Sequence, residues 1–197
     1  MSPHRTTRAV AVTVVVALMA ATLPALVGAQ ATQTQVPSRP TFPNGWAGVW
    51  EGTLTTWSAP DSVRSKIPVK LTIAREDTGS AYTWRTLFNA DTVRGVRPYR
   101  LVVRDAGRGS YGTDEGNGLL LEETWIAGTL ISVFQVGSRV LESRYALRGD
   151  TLTHDIVWWS ATPMPPMKGT GPNAERGAAV SSFRVEGRQR AEMTRKR

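Results

Sequence analysis

The chain has 197 residues, a formal charge of +8 at pH 7 and no cysteine. The absence of cysteine excludes disulfides, thiolate metal sites and a lipid anchor on a cysteine, so an ordinary hydrophobic core must hold the fold. The length fits a single domain after an N-terminal leader.

Residues 1–31 have the pattern of a secretory signal peptide. Two arginines precede a mostly apolar run, 9–27, which is followed by small residues around Ala29 and Ala31. Cleavage is predicted after Ala29 or Ala31, and the remaining chain is predicted to be secreted or periplasmic. The alternative is an uncleaved membrane anchor, because the run approaches the roughly 20 residues that a spanning helix needs. After cleavage, no transmembrane segment is predicted.

Residues 32–45 are rich in Thr, Gln and Pro and have no apolar face, which predicts a flexible linker. From Trp46 onward, short alternating apolar runs are separated by Gly, Asn and Asp, which is typical of β-strands. About nine such runs, joined mostly by short turns, indicate an antiparallel meander within one domain, 46–190. Because a meander of that size must hide its edges, we expect an all-β, up-and-down β-barrel, with a β-sandwich as the alternative.

Two C-terminal segments depart from this pattern. The interval 161–177 is rich in Pro and Gly, which predicts a long loop over one end of the barrel. The last strand is expected to follow at 178–189. Residues 191–197 are predicted to form a solvated basic tail, and no nucleic-acid binding is expected because no aromatic side chains interleave its charges.

The first predicted strand begins with Gly48 and Trp50, which are separated by one residue. This spacing resembles the Gly-x-Trp signature of the lipocalin and wider calycin group of secreted β-barrels. The resemblance implies that Trp50 plugs the closed end of the barrel, with Arg184 or Arg188 as its cation–π partner. Trp50→Ala is then expected to be severely destabilising, whereas Trp46→Ala, at the linker junction, is expected to be mild.

The polar cluster at 114–118 has a catalytic and a structural interpretation. Asp114 and Glu115, together with His154, are acid and base candidates for a hydrolase or isomerase, and paired carboxylates also suit calcium. Neighbouring strand residues point to opposite faces, however, and the cluster ends in Asn-Gly, a strong hairpin signal. We therefore interpret the cluster as a structural turn and predict no catalytic residue.

The predicted apolar faces carry aromatic side chains and one histidine. Trp84, Trp125 and Trp158 fall on such faces, and His154 shares the face of Trp158. These four residues would line a binding site if the barrel is hollow or fill a solid core if it is not, and the sequence leaves both possibilities open. With one histidine after the leader and no cysteine, no metal site is predicted.

These features favour an exported barrel protein that binds a small apolar or amphipathic ligand without a cofactor. The first alternative is the hydrolase or isomerase described above. The second is a non-catalytic envelope or assembly module that uses outer aromatic residues, Trp57 or Trp159, and the basic tail. The sequence contains no phosphate-binding or nucleotide-binding loop.

Overall fold

The computed structural model describes residues 41–169 and 179–197, and ten antiparallel strands in these ranges close into a barrel. The strands are β1 (Gly48–Ser58), β2 (Ser62–Arg75), β3 (Ala81–Phe88), β4 (Val96–Asp105), β5 (Ser110–Asp114), β6 (Leu120–Ile126), β7 (Thr129–Val136), β8 (Arg139–Arg148), β9 (Thr151–Ser160) and β10 (Val185–Arg195). Each strand pairs with its neighbours in sequence, and β1 pairs with β10 to complete the barrel. The predicted all-β, up-and-down architecture is thus confirmed.

The additional strand, relative to the nine expected, is β5. Its buried residues include Tyr111 and Thr113, which lie on either side of Gly112. Because no aliphatic residue marks the inner face of this short strand, its alternation is weak in the sequence.

The last strand begins and ends later than predicted. Ala191 and Met193 point inward and are 1% and 2% exposed, respectively. Residues 191–195 therefore belong to β10, and the prediction of a tail over that range is wrong. The outward-facing Arg190 and Glu192 give the segment a tail-like composition, because a strand exposes alternate residues to solvent.

A short N-terminal segment fills one end of the barrel, which we call the closed end. Residues Asn44–Trp46 form a 3-10 helix, and Trp46 is 1% exposed. Phe42 stacks on Trp125 with the ring centroids 4.2 Å apart. Trp46, expected at the linker junction with a mild effect on stability, is instead part of the buried core. The sequence did not indicate this, because the segment that carries Phe42 and Trp46 has no strand periodicity.

The predicted linker, 32–45, is packed over the part that the structure describes, 41–45. Its remaining residues and the predicted signal peptide, 1–31, lie outside the described residues. Among the helices of the described ranges, none has the length and apolar character required to cross a membrane.

Trp50 is buried at the closed end, and its indole N–H donates to the carbonyl oxygen of Trp46 at 2.9 Å. The cation over its ring is Arg195, whose guanidinium carbon lies 4.4 Å from the ring centroid. The expected partners, Arg184 and Arg188, do not make this contact, because β10 runs further than predicted and brings a later arginine to the closed end. The closed antiparallel barrel is compatible with a calycin-type fold.

At the opposite end, which we call the open end, β9 and β10 are joined by the long predicted loop. Its two described parts pair through backbone hydrogen bonds between Met167 and Val180, 2.9 and 3.0 Å long. The side chains of Met164 and Phe183 are exposed. Residues 170–177 of the predicted loop lie outside the described residues.

Candidate functional site

A cavity of about 170 Å³ lies inside the barrel toward the open end. Its walls combine aromatic and polar side chains from several strands. The aromatic members are Trp84, Phe88, Tyr99, Phe134 and Tyr145, and the main polar members are Glu123, Ser143 and His154. The barrel interior is therefore solid at the closed end and hollow toward the open end, which combines the two possibilities left by the sequence.

A wider concavity of about 400 Å³ shares Phe88, Arg97 and Gln189 with this cavity at the open end. A groove of about 550 Å³ lies on the outer surface between β1 and β10. Its walls are polar and carry Arg188, Arg190 and Glu192, which are solvated or ion-paired. Apolar burial, the usual source of small-molecule affinity, is available in the interior cavity rather than in this groove.

Glu123, on β6, is the most unusual group in the cavity. It is 6% exposed, and its Oε1 accepts a hydrogen bond from the Thr113 hydroxyl at 2.9 Å. Its Oε2 is buried and has no hydrogen-bond partner among the described residues. Burial raises the pKa of Glu123 to about 7, although the Thr113 hydrogen bond acts in the opposite direction.

His154, on β9, faces the same cavity. Its Nε2 lies 3.0 Å from the Ser143 hydroxyl, and its ring stacks on Tyr145 with centroids 3.8 Å apart and planes 6° from parallel. Burial lowers the pKa of His154 to about 4. The imidazole is therefore neutral at neutral pH and provides a hydrogen-bonded wall rather than a positive charge.

Two tyrosines and a tryptophan complete the aromatic surface. Tyr145 and Trp84 form a T-shaped pair with centroids 5.3 Å apart and planes at 89°. Burial raises the pKa of Tyr145 and that of Tyr99, so both phenols stay protonated at neutral pH. The nearby carboxylate of Glu115 adds to the upward shift at Tyr99.

Charged residues line the outer part of the cavity. Arg97 is exposed, and its guanidinium donates to the carbonyl oxygens of Arg94 and Val96, both at 3.0 Å. Its guanidinium carbon also lies 6.0 Å from the centroid of the Phe88 ring. Arg97 is therefore tied to the rim and does not neutralise the deeper Glu123.

The structure separates the four predicted ligand-binding residues. Trp84 and His154 line the cavity. Trp125 contributes instead to the closed end, where it stacks on Phe42. Trp158 covers Gly187 of β10, and a Cβ atom at that glycine would lie 2.2 Å from the indole ring. The ligand-binding role of all four residues stays a prediction.

The catalytic combination of Asp114, Glu115 and His154 is not assembled. Asp114 pairs with Arg100 on the outer surface at 3.3 Å, whereas Glu115 lines the cavity. The two carboxylates thus point to opposite sides, as expected for neighbouring residues of a strand. The cluster forms the β5–β6 turn, in which the Asp114 side chain accepts a hydrogen bond from the backbone N–H of Gly116 at 2.8 Å.

The structure also bears on the residues named for an envelope or assembly module, the outer aromatic residues and the basic tail. Trp57 and Trp159 are half-buried, and Trp57 lies beside Arg188 on the outer surface. Most of the predicted basic tail is part of β10, so it is not a free extension. The same loop that was expected to cover the binding site, 161–177, places none of its described residues in the cavity wall.

The sequence analysis did not identify Glu123 as a site residue, although the signal was present. It lies between Leu121 and Trp125 on an alternating strand, at a position that must face inward. An ionisable residue at an inward-facing position indicates either a buried partner or a ligand. In the described ranges, no group of three His, Asp or Glu side chains is arranged to hold a metal ion.

No family model matches this chain, and no curated protein matches its sequence. A barrel fold by itself does not define an activity. The chemistry of the interior cavity is therefore the basis on which a function can be argued.

Proposed function

We propose that this protein is an exported β-barrel that binds a small, mostly apolar molecule in the cavity at the open end. The observation that carries the proposal is the cavity of about 170 Å³ with aromatic walls and one incompletely hydrogen-bonded carboxylate. Binding sites for small molecules have this composition, an apolar lining with a few polar groups that fix orientation. Export is proposed from the leader, 1–31.

The size of the cavity limits the ligand. Drug-sized molecules occupy pockets of about 300–1,000 Å³, whereas an engineered apolar cavity of about 150 Å³ accepts benzene. The interior cavity by itself, at about 170 Å³, therefore suits a single ring or a branched chain of similar volume as the buried part of the ligand. For a ligand of that size we expect affinity no tighter than about 1 μM, from roughly 1 kcal/mol per non-hydrogen atom.

The test is the binding of toluene, followed by isothermal titration and by saturation-transfer NMR. Ile156 lines the cavity and has a neighbour on the outer face of β9, Val157. Ile156→Trp places a larger side chain in the cavity and is expected to abolish binding. Val157→Trp makes the same addition outside the barrel and is expected to preserve it, because the cavity is unchanged.

Circular dichroism and a thermal melt on both variants establish that they are folded. If both variants bind toluene with the same affinity as the native protein, toluene binds outside the cavity, and the proposal is wrong. The absence of toluene binding to the native protein at millimolar concentration also contradicts it.

A further inference from the structure

One buried oxygen in the cavity remains without a partner. Glu123 Oε2 accepts no hydrogen bond from any described residue, whereas Oε1 is held by Thr113. Glu123 is 6% exposed, so bulk water does not solvate this oxygen freely. Buried carboxylate oxygens are normally hydrogen-bonded or paired with a cation, so this oxygen is a position at which a ligand donor would find a partner.

The charges around Glu123 indicate the nature of that group. Of the described residues that line the cavity, Arg97 is the only one with a permanent positive charge, and it is tied to the rim. Glu115 adds a second carboxylate to the wall. The other titratable groups facing the cavity, Tyr99, Tyr145 and His154, are uncharged at neutral pH. With Glu123 ionised, the cavity carries an excess of negative charge.

The aromatic walls favour the same sign of charge on the ligand. Trp84 and Tyr145 line the cavity, and aromatic rings attract organic cations over their faces. An anionic ligand would be repelled by both carboxylates, and a ligand without a donor would leave Oε2 of Glu123 unpartnered.

We propose that the ligand of this cavity is a small primary amine on an apolar body, bound as an ammonium ion whose N–H donates to Glu123 Oε2. This inference rests on the proposed function and specifies its ligand class. A protonated Glu123 must lose its proton to solvent when it pairs with an ammonium ion. Binding below neutral pH therefore releases one proton, and the affinity increases as pH rises toward neutrality.

The experiment compares four molecules of nearly equal size: benzylamine, benzyl alcohol, toluene and benzoate. Isothermal titration of the native protein at pH 8 is expected to give benzylamine at least about tenfold tighter binding than toluene, because a charge-assisted hydrogen bond is formed in a desolvated site. Benzyl alcohol is expected to lie between them, and benzoate is expected not to bind.

Matched variants on β6 locate the effect. Glu123→Gln retains shape but loses the charge, and it is expected to reduce benzylamine affinity to that of toluene. Glu122→Gln, its neighbour on the outer surface, removes an exposed partner of Arg104 and is expected to leave all four affinities unchanged. Titration of the native protein at pH 6 in buffers of different ionisation enthalpy is expected to show proton release with benzylamine and none with toluene.

The outcomes separate this inference from the proposed function. Toluene binding without an advantage for benzylamine, or an advantage that survives in Glu123→Gln, overturns the inference and leaves the proposed function intact. Equal affinities for benzyl alcohol and benzylamine overturn the requirement for charge. If Glu123→Gln does not fold, proton release by the native protein decides, and its absence overturns the inference. Failure of all four molecules to bind contradicts the proposed function itself.

Discussion

Glu123 and His154 are expected to make the stability of the barrel depend on pH in opposite directions. Burial raises the pKa of Glu123 from 4.5 to about 7 and lowers that of His154 from 6.5 to about 4. In both cases the folded protein favours the neutral form, because the cavity solvates charge less well than water does.

The sign follows from which state binds more protons. Between about pH 4.5 and 7 the folded state retains the Glu123 proton that the unfolded state has lost, so this contribution to stability is present at low pH and is lost as pH rises. Between about pH 6.5 and 4 the unfolded state protonates His154 and the folded state does not, so stability is lost as pH falls. In the native protein the two effects oppose each other where the ranges overlap.

The magnitudes follow from the shifts. For Glu123 the free energy involved is about 3 kcal/mol, since one pKa unit corresponds to about 1.4 kcal/mol and the group is almost fully buried. His154 is only partly buried, so solvent screens part of its charge and a smaller contribution of about 2 kcal/mol is expected. Either value is a large share of the ~5–15 kcal/mol that stabilises a typical domain.

Glu123→Gln and His154→Gln separate the two contributions. Denaturant unfolding of each variant and of the native protein, from pH 4 to 8, gives the difference in free energy of unfolding at each pH. Glu123→Gln is expected to gain about 3 kcal/mol relative to the native protein between pH 4.5 and 7. His154→Gln is expected to gain about 2 kcal/mol relative to the native protein as pH falls from 6.5 to 4.

Each variant is compared with the native protein at the same pH. The many surface carboxylates titrate equally in all three proteins, so they do not contribute to the difference in free energy of unfolding. Glu122→Gln provides the control for an exposed position on the same strand, and its difference is expected to be nearly independent of pH. A pH-independent difference for Glu123→Gln would refute the argument that burial controls this carboxyl group.

Substitutions of tryptophan, arginine and glycine test the closed end. Trp46→Ala is expected to lower the free energy of unfolding by about 3–5 kcal/mol, as much as Trp50→Ala, because both indoles are 1% exposed. Arg195→Ala removes the cation over Trp50 and the hydrogen bonds to the 3-10 segment, with an expected loss of about 1–2 kcal/mol, whereas Arg184→Ala is expected to be nearly neutral. Gly52→Ala places a Cβ 1.8 Å from a backbone oxygen of β10, and a loss of about 3 kcal/mol or more is expected.

Denaturant unfolding at one pH measures the effect of each substitution, with controls of the same residue type. Trp57→Ala, at a half-buried position on the outer surface, is expected to be milder than either buried tryptophan. Gly107→Ala introduces a Cβ at an ordinary contact distance of 3.4 Å and is expected to be tolerated. A mild effect of Trp46→Ala would contradict the closed-end packing. Equal effects of the two arginine substitutions, or of the two glycine substitutions, would contradict the contacts assigned to Arg195 and Gly52.

The barrel was predictable because alternation is a local property of each strand. Leu130, Ser132 and Tyr145 are buried at positions that alternate with more exposed ones, as the sequence pattern indicated. The strand β5 was missed because its inner face consists of Tyr and Thr, and the end of β10 was missed because its outer face is charged. In both strands the hydrophobic signal is carried by few residues, although each strand pairs with both of its neighbours in the barrel.

The binding site was less predictable because alternation gives the face of a residue but not its height in the barrel. Trp84 and Trp125 were both expected to line a site, yet only Trp84 reaches the cavity. Height depends on the stagger between neighbouring strands, which is a property of the whole closed sheet. The packing of Phe42 at the closed end is equally nonlocal, since its aromatic partner Trp125 lies on β6.

The retention of Glu123 is difficult to explain by folding alone. Its burial costs about 3 kcal/mol once pH exceeds 7, and only one of its oxygens has a partner among the described residues. Replacement of a buried ionisable group by an apolar one of similar shape is often neutral or stabilising. At the closed end the barrel is filled in that way, by indole and aliphatic side chains. A carboxyl group kept in the hollow end, beside aromatic side chains and not ion-paired with a protein cation, is better accounted for by a bound molecule than by the stability of the barrel.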